Sequence, residues 1–312
     1  PEPTLTHTTS NTIKRTLGSV YLDRDDTATF NSVSSRLEVS MFVGGETYGL
    51  GRYIPSDWIG FITTAGRTSS ATFYDESFII DQQITTSFGA ISVGGDKVDA
   101  MIQRFLDRYP VDYTIEPTDF TSLGSWSIGT RGGFVLEQLA LDGDYFAPWM
   151  DYTSTLRFIR SFDPATKIPD FDFDAGRRVI REDIQETDNL IEAPNRFIVI
   201  GNGSAALDNE MPIIGSADVP NNSPNSILNR GFVIPETVTR QVQTSAQATA
   251  VAENLVRRQT LFKQVELGTA PDPRHDSYNV IKWQGENWLE LGWSLPLREG
   301  AVMKHSLRRA YS

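Results

Sequence analysis

The chain has 312 residues, 39% of them apolar and 22% charged, with no cysteine and a net charge of −12 from 28 basic and 40 acidic side chains. The missing cysteine excludes disulfide scaffolds, thiol catalysis, thiolate zinc sites and iron–sulfur clusters, and the acidity is the opposite of a duplex-binding footprint. Apolar runs such as Phe197–Ile200 and Phe78–Ile80 fall far short of the roughly 20 residues of a spanning helix, so no stable membrane insertion is expected.

The leading segment PEPTLTHTTSNTIKR has no apolar h-region, reads as polar, and is not a secretory signal. Period-2 alternation begins at Arg36–Val43, with Leu37, Val39, Met41 and Val43 on one face. Gly44-Gly45 then predicts a turn, and Thr47–Tyr53, Trp58–Thr63 and Ala71–Tyr74 read as further strands, broken at Pro55-Ser56-Asp57 and Gly66-Arg67. Strands at this spacing predict an antiparallel sheet or barrel. After Gly94-Gly95 the period becomes helical. Asp96 is the expected N-cap, Val98, Met101, Ile102, Phe105, Leu106 and Tyr109 form the apolar stripe, and Pro110 is the stop. A second helix is expected over Gly133–Leu141, followed by a hairpin of Tyr145–Trp149 and Thr155–Ile159.

From Asn195 the chain reads as strand again, then as a polar loop from Asn202 to Asn229, a length that by base rate marks a functional loop or one ordered by a partner. The strongest helix follows, capped by Thr244 or Ser245, with Ala248, Val251, Ala252, Leu255 and Val256 on one face and Arg257 turned away. Tyr278–Trp283, Trp288–Trp293 and Ala301–Arg308 return to strands. The expected class is α+β and β-rich, in the order β, α+β, β. The domains are drawn at 1–94, 95–190 and 191–312, with no repeat at a fixed period.

Candidate chemistry thins out under inspection. Gly201-Asn202-Gly203-Ser204-Ala205-Ala206 follows an apolar strand and matches the dinucleotide fingerprint, but Leu207–Pro212 has no helical stripe to offer a phosphate. Asp170, Asp172 and Asp174 resemble half a calcium loop, yet its sixth position is Ala175 and its twelfth Arg181, and Asp/Phe alternation is also what a half-buried strand shows. The clusters Asp23/Asp25/Asp26 and Glu182/Asp183/Glu186 read as solvated surface. There are three histidines, His7 in the polar leader, His305 near the end, and His275 in a proline-flanked loop where a surface or capping role is expected. Trp283, Trp288 and Trp293 fit a sheet core at least as well as a stacking platform. No nucleophile elbow, zincin helix or phosphate loop is present. No residue is therefore assigned a catalytic, cofactor-binding or metal-ligating role, no cofactor is expected, and the chain is read as a non-enzyme.

One succession of segments is more specific. "APNRFIVIGNG", "SPNSILNRGFVIPETV", "SAQATAVAENLVRRQ", "VELGTAPDPRHDSYNVIKW" and "WSLPLREGAVMKHSLRRAYS" together resemble the tail hub proteins of tailed bacteriophages, siphophages of actinobacteria especially. "YGLGRYIPSDW" and "GFVLEQLALDGDYFAPWMDYTSTLRFI" fit the same family, although Asp151-Tyr152-Thr153-Ser154 stands where an Asp-x-x-Gly turn is usual. The resemblance implies two tube-like antiparallel β-barrel domains flanking the α+β region, and a homotrimer closing into a pseudo-sixfold ring. It also implies tube proteins above, a spike or fibres below, and tape-measure protein and DNA in the lumen without sequence-specific binding. The implied location is the virion tail tip, after assembly in the host cytoplasm. A carbohydrate-binding or carbohydrate-degrading β-protein, using Asp/Glu pairs and exposed tryptophans, is the alternative.

Overall fold

The computed structural model describes residues 3–8, 16–22, 35–63, 66–83, 86–91, 95–174, 179–188, 192–201, 213–240, 242, 244–259 and 263–309. The chain opens with β1 (Thr4–Thr8) and β2 (Thr16–Leu22), then β3 (Leu37–Val43), β4 (Glu46–Thr63) and β5 (Gly66–Asp75). The alternation in β3 is as expected, with Leu37, Val39, Met41 and Val43 half-buried and Glu38, Ser40 and Phe42 outward. Gly44 and Gly45, at φ 62° and 93°, make the tight turn, where a mirror-type hairpin turn needs positive φ. The expected break at Pro55 does not occur. β4 runs 18 residues through it, because a register shift between Pro55 and Asp57 absorbs the proline, which cannot donate to a ladder.

The α+β part comprises α1 (Ser77–Gln82), β6 (Phe88–Gly89), β7 (Asp96–Lys97), α2 (Val98–Leu106), β8 (Asp112–Ile115), β9 (Thr121–Ser122), β10 (Ser125–Trp126), α3 (Gly132–Asp142), β11 (Trp149–Met150) and β12 (Thr155–Phe158). The five apolar residues of the α2 stripe up to Leu106 are fully buried against Val135, Leu136, Leu139 and Phe158. Asp96 is not the N-cap, since it lies in β7 and its carboxylate accepts from Ile91 N and pairs with Arg104. In the β11–β12 hairpin, the buried Asp151 carboxylate accepts from Thr153 N, Thr155 N and Arg157 Nε at 2.8, 3.0 and 2.6 Å. Ser154 takes the left-handed conformation at φ 62°, the conformation that favours glycine. Its hydroxyl also accepts from Arg52 N at 2.9 Å, tying the hairpin to β4.

The remaining elements are β13 (Phe171–Asp172), β14 (Val179–Asp188), β15 (Arg196–Gly201), β16 (Ile213–Asp218), α4 (Ile227–Arg230), β17 (Pro235–Arg240), α5 (Ser245–Gln259), β18 (Lys263–Thr269), β19 (Val280–Trp283), β20 (Glu286–Pro296) and β21 (Met303–Arg309). The expected polar loop after Asn202 is therefore interrupted. Ile213–Asp218 pairs antiparallel with β15, an apolar pair too short for its period to be read. Asn225 and Asn195, both buried, hold the stretch before β17 by side-chain bonds to Pro194 O and Phe232 O. Thr244 caps α5 by accepting from Gln247 N at 3.2 Å, and the predicted stripe packs onto Phe197 and Val199.

One curled sheet organises the molecule. Its order is β14-β18-β21-β20-β1-β2-β5-β4-β3, with β19 on β20 and β13 on β19. The leader expected to be polar is thus the central joint, since β1 pairs with β2 on one side and with β20, nearly 290 residues on, on the other. Of 191–312, β18–β21 join this sheet while β15–β17 with α5 form a separate three-stranded layer. The sheet carries two apolar cores, one around Leu5, Phe73, Leu295 and Met303 and one around Val265, Ile281, Trp288 and Leu307.

Candidate functional site

Strand β21 places Met303 in the first core and Leu307 in the second, and His305 lies between them on the same face. The polar layer that separates the two cores is built around this histidine. On β20, Trp288 and Glu290 share one face by ordinary alternation, Trp288 in the second core, while Leu289 is buried on the opposite face with Phe146 and Tyr278. A register shift between Glu290 and Gly292 then changes the parity, so that Trp293 and Leu295 enter the first core. Glu290, two residues after Trp288, faces inward at 0% exposure. His275 arrives from the loop between β18 and β19.

The geometry is close. His275 Nδ1 lies 2.9 Å from Glu290 Oε2 and His305 Nδ1 2.6 Å from Glu290 Oε1, so each carboxylate oxygen faces one imidazole. Thr269 Oγ1 sits 2.8 Å from His305 Nε2. Phe171 stacks on His275 at 3.9 Å between centroids, and Phe173 meets His305 edge-on. Burial works to raise the pKa of Glu290. The charges and hydrogen bonds of the two histidines outweigh it and leave the carboxyl below its ordinary value, so it is ionised inside the sheet.

The loop histidine expected at the surface is therefore buried, as is His7, whose ring lies 6.0 Å from that of Trp293. The local cue was proline on either side of the loop, and packing by Phe171 overrides it. The signal that points to the cluster is Glu290 itself, a lone acid inside "WLELGW", because a charge in an apolar strand must find a partner.

The other candidates resolve as scaffolding. Asp170 Oδ2 accepts from Val280 N, and the two Asp174 oxygens accept from Gln284 N and Gly285 N, so these acids clamp β19 and its turn. Glu186 pairs with Lys263. Trp283, Trp288 and Trp293 are core residues, at most 5% exposed. Asp23, Asp25, Asp26, the side chains of Glu182 and Asp183, and the segment from Asn202 to Ala206 lie outside the described residues. A second feature is a cavity of about 290 Å³ between α5 and the α+β part, lined by Phe120, Asp142, Val242 and Val251 among others. Burial pushes the Asp142 carboxyl up to about 6, against the pull of its Ser122 hydrogen bond and of Arg240. Among the described residues, no helix is long and apolar enough to cross a membrane.

No protein-family model and no curated protein matches the sequence. Solved structures do. A 43 kDa tail protein of prophage MuSo2 from Shewanella oneidensis superposes with TM-score 0.64 at 12% identity, covering 99% of this chain and 94% of that one. The fold is that of phage tail proteins. A tail protein from Neisseria meningitidis MC58 shares this tail-protein fold equally well, with TM-score 0.64 at 12% identity over 100% of this chain and 92% of its own. So does an Escherichia coli component of the type VI secretion system described as similar to T4 tail proteins gp27 and gp5, with TM-score 0.57, 8% identity and 99% and 73% coverage.

Proposed function

We propose that this chain is a structural subunit of a bacteriophage tail, a hub that closes into a homotrimeric ring at the distal tip. The observation that carries the reading is end-to-end likeness. Two tail proteins match over essentially all of this chain and more than nine-tenths of their own. The two cores of the sheet correspond to two tube-like units per subunit, and three subunits make a pseudo-sixfold ring.

Three features support that use. Among the described residues the sheet ends at β3 and at β14, and open edges are templates for pairing with another chain. Phe42 stands 72% exposed on the edge strand. Leu228, Phe232 and Val233 form a second apolar patch around α4, suited to neighbouring tail proteins. The net charge of −12 suits a bore through which tape-measure protein and DNA pass, since counterion-release binding would retard ejection. In this reading the ring continues the tube above, anchors a spike or fibres below, and does no catalysis of its own.

Light scattering across a concentration series, with negative-stain micrographs, tests the proposal. A species near three times 34.8 kDa with threefold symmetry is the expected result. Glycan or peptidoglycan turnover that one Asp→Asn substitution abolishes would overturn it.

A further inference from the structure

The polar layer between the two cores brings two imidazoles and one carboxylate together, all three buried. The Thr269 hydroxyl has one proton and donates it to Ala270 O at 2.9 Å. Its oxygen also lies 2.8 Å from His305 Nε2, on the far side of the ring from Glu290. His305 Nδ1 is aimed at a Glu290 carboxylate oxygen 2.6 Å off, and His275 Nδ1 at the other oxygen at 2.9 Å. These are the atoms that a metal ion shared by the three side chains would use in place of protons.

We propose that His275, Glu290 and His305 bind a divalent transition metal of the zinc class, which holds the β18–β19 loop against β20 and β21. The ligand atoms lie within 4.8 Å of one another. Half that span, about 2.4 Å, is within a few tenths of the 2.0–2.2 Å of zinc bonds to nitrogen and oxygen. Two imidazoles and one carboxylate are a recognised zinc donor set, and each Glu290 oxygen faces one of the two rings. Imidazole nitrogens disfavour calcium and magnesium, and without sulfur ligands copper(I) is disfavoured too. Thr269 completes the pattern, because a ligating histidine commonly hands its other N–H to an outer partner that fixes tautomer and ring plane. Phe171 and Phe173 seal the site from water.

The metal would also organise the surface. Asp272 and Arg274, paired at 2.6 Å within the pinned loop, interact electrostatically with Glu46 and Tyr48 beside the β3–β4 turn. Ligation at His275 would therefore fix the place of these two charges. The inference stands apart from the oligomeric reading, since it concerns a single chain.

The test uses the whole chain, free of any tag and purified from zinc-supplemented medium. Elemental analysis is expected to give about one metal per chain. After chelator stripping, Co2+ is expected to produce a visible d–d absorption saturating near one equivalent, and EDTA to lower the Tm of the zinc-loaded protein. Thr269→Val is expected to keep the band while weakening Co2+ binding about 10–100-fold. His275→Ala and Glu290→Gln should abolish the band with an unchanged far-ultraviolet circular dichroism spectrum. Wild-type protein with no stoichiometric metal, no cobalt band and no response to chelator would overturn the proposal. That arm needs no variant, so a misfolded substitution cannot decide the outcome.

Discussion

Asp142→Asn offers a direct reading of how the α+β part meets α5. Asp142 closes α3 and faces the cavity under α5, its Oδ2 accepting from Ser122 Oγ at 2.5 Å. Burial raises its carboxyl from an ordinary 3.8 to about 6. At 1.36 kcal/mol per unit, that difference is worth about 3 kcal/mol. The sign follows from linkage. The folded state holds this proton more tightly than the unfolded chain, so the contribution is fully present below about pH 4 and disappears as pH rises through about 6. At neutral pH the ionised carboxylate is a net cost. Asparagine keeps the volume and the acceptor oxygen without the charge, so the variant should be more stable than wild type by about 2–3 kcal/mol at pH 7 and indistinguishable near pH 4. Urea denaturation of both proteins at intervals between those pH values supplies the curve. A stability difference independent of pH, or of opposite sign at pH 7, would refute the reasoning, because either would mean that Asp142 is not desolvated beside α5.

Four further outcomes can be checked with equally simple measurements. Asp151 has the opposite linkage. Burial works to raise its carboxyl, but bonds from Thr153, Thr155 and Arg157 outweigh it and hold it below the ordinary value. Its stabilisation is therefore present above about pH 4 and fades below, so Asp151→Asn should cost about 2–4 kcal/mol at pH 7 and progressively less toward pH 3 in the same denaturation series. A Cβ added at Gly215 would lie 2.2 Å from Thr249 N and 2.3 Å from Ala248 C, both backbone atoms of α5. Gly215→Ala should consequently lower Tm by an amount equivalent to about 3 kcal/mol or more, with protease nicking first in the β15–β17 layer. At Ser154, alanine loses the Arg52 bond and keeps the left-handed strain, whereas glycine loses only the bond. Thermal unfolding should therefore rank Ser154→Ala below Ser154→Gly by about 1 kcal/mol. Phe42→Asp, at a position 72% exposed, should leave the Tm of the single chain within about 0.5 kcal/mol of wild type while suppressing ring formation in light scattering.

How much of this was legible beforehand depends on the range of the interaction responsible. The β3 alternation, the α2 stripe and the α5 stripe are local periodicities with one face buried, and each appears where its residues predict. The resemblance carried by "APNRFIVIGNG" through "HSLRRAYS" anticipated a tail-protein fold that solved structures bear out at 8–12% identity. Elements of two to six residues were harder. Ile213–Asp218 is too short to show a period, and it is a strand because β15 and α5 lie beside it. Pro55 looked like a break because its missing N–H is a local fact, while the bulge that accommodates it belongs to the pairing with β5.

The sequence by itself determined the acidic balance, the absence of thiol chemistry, and which faces of the longer strands and helices turn inward, because those follow from composition and from periods of 2 and 3.6 residues. Only the tertiary structure decided that Thr4–Thr8 joins the two halves of the sheet and that His275, Glu290 and His305 meet. Both depend on pairing between segments 15 to 290 residues apart, and on one bulge at Glu290–Gly292 that lets Trp293 as well as Glu290 face inward. A one-residue irregularity reverses the face a side chain occupies, and no local pattern in the chain encodes where that irregularity will fall.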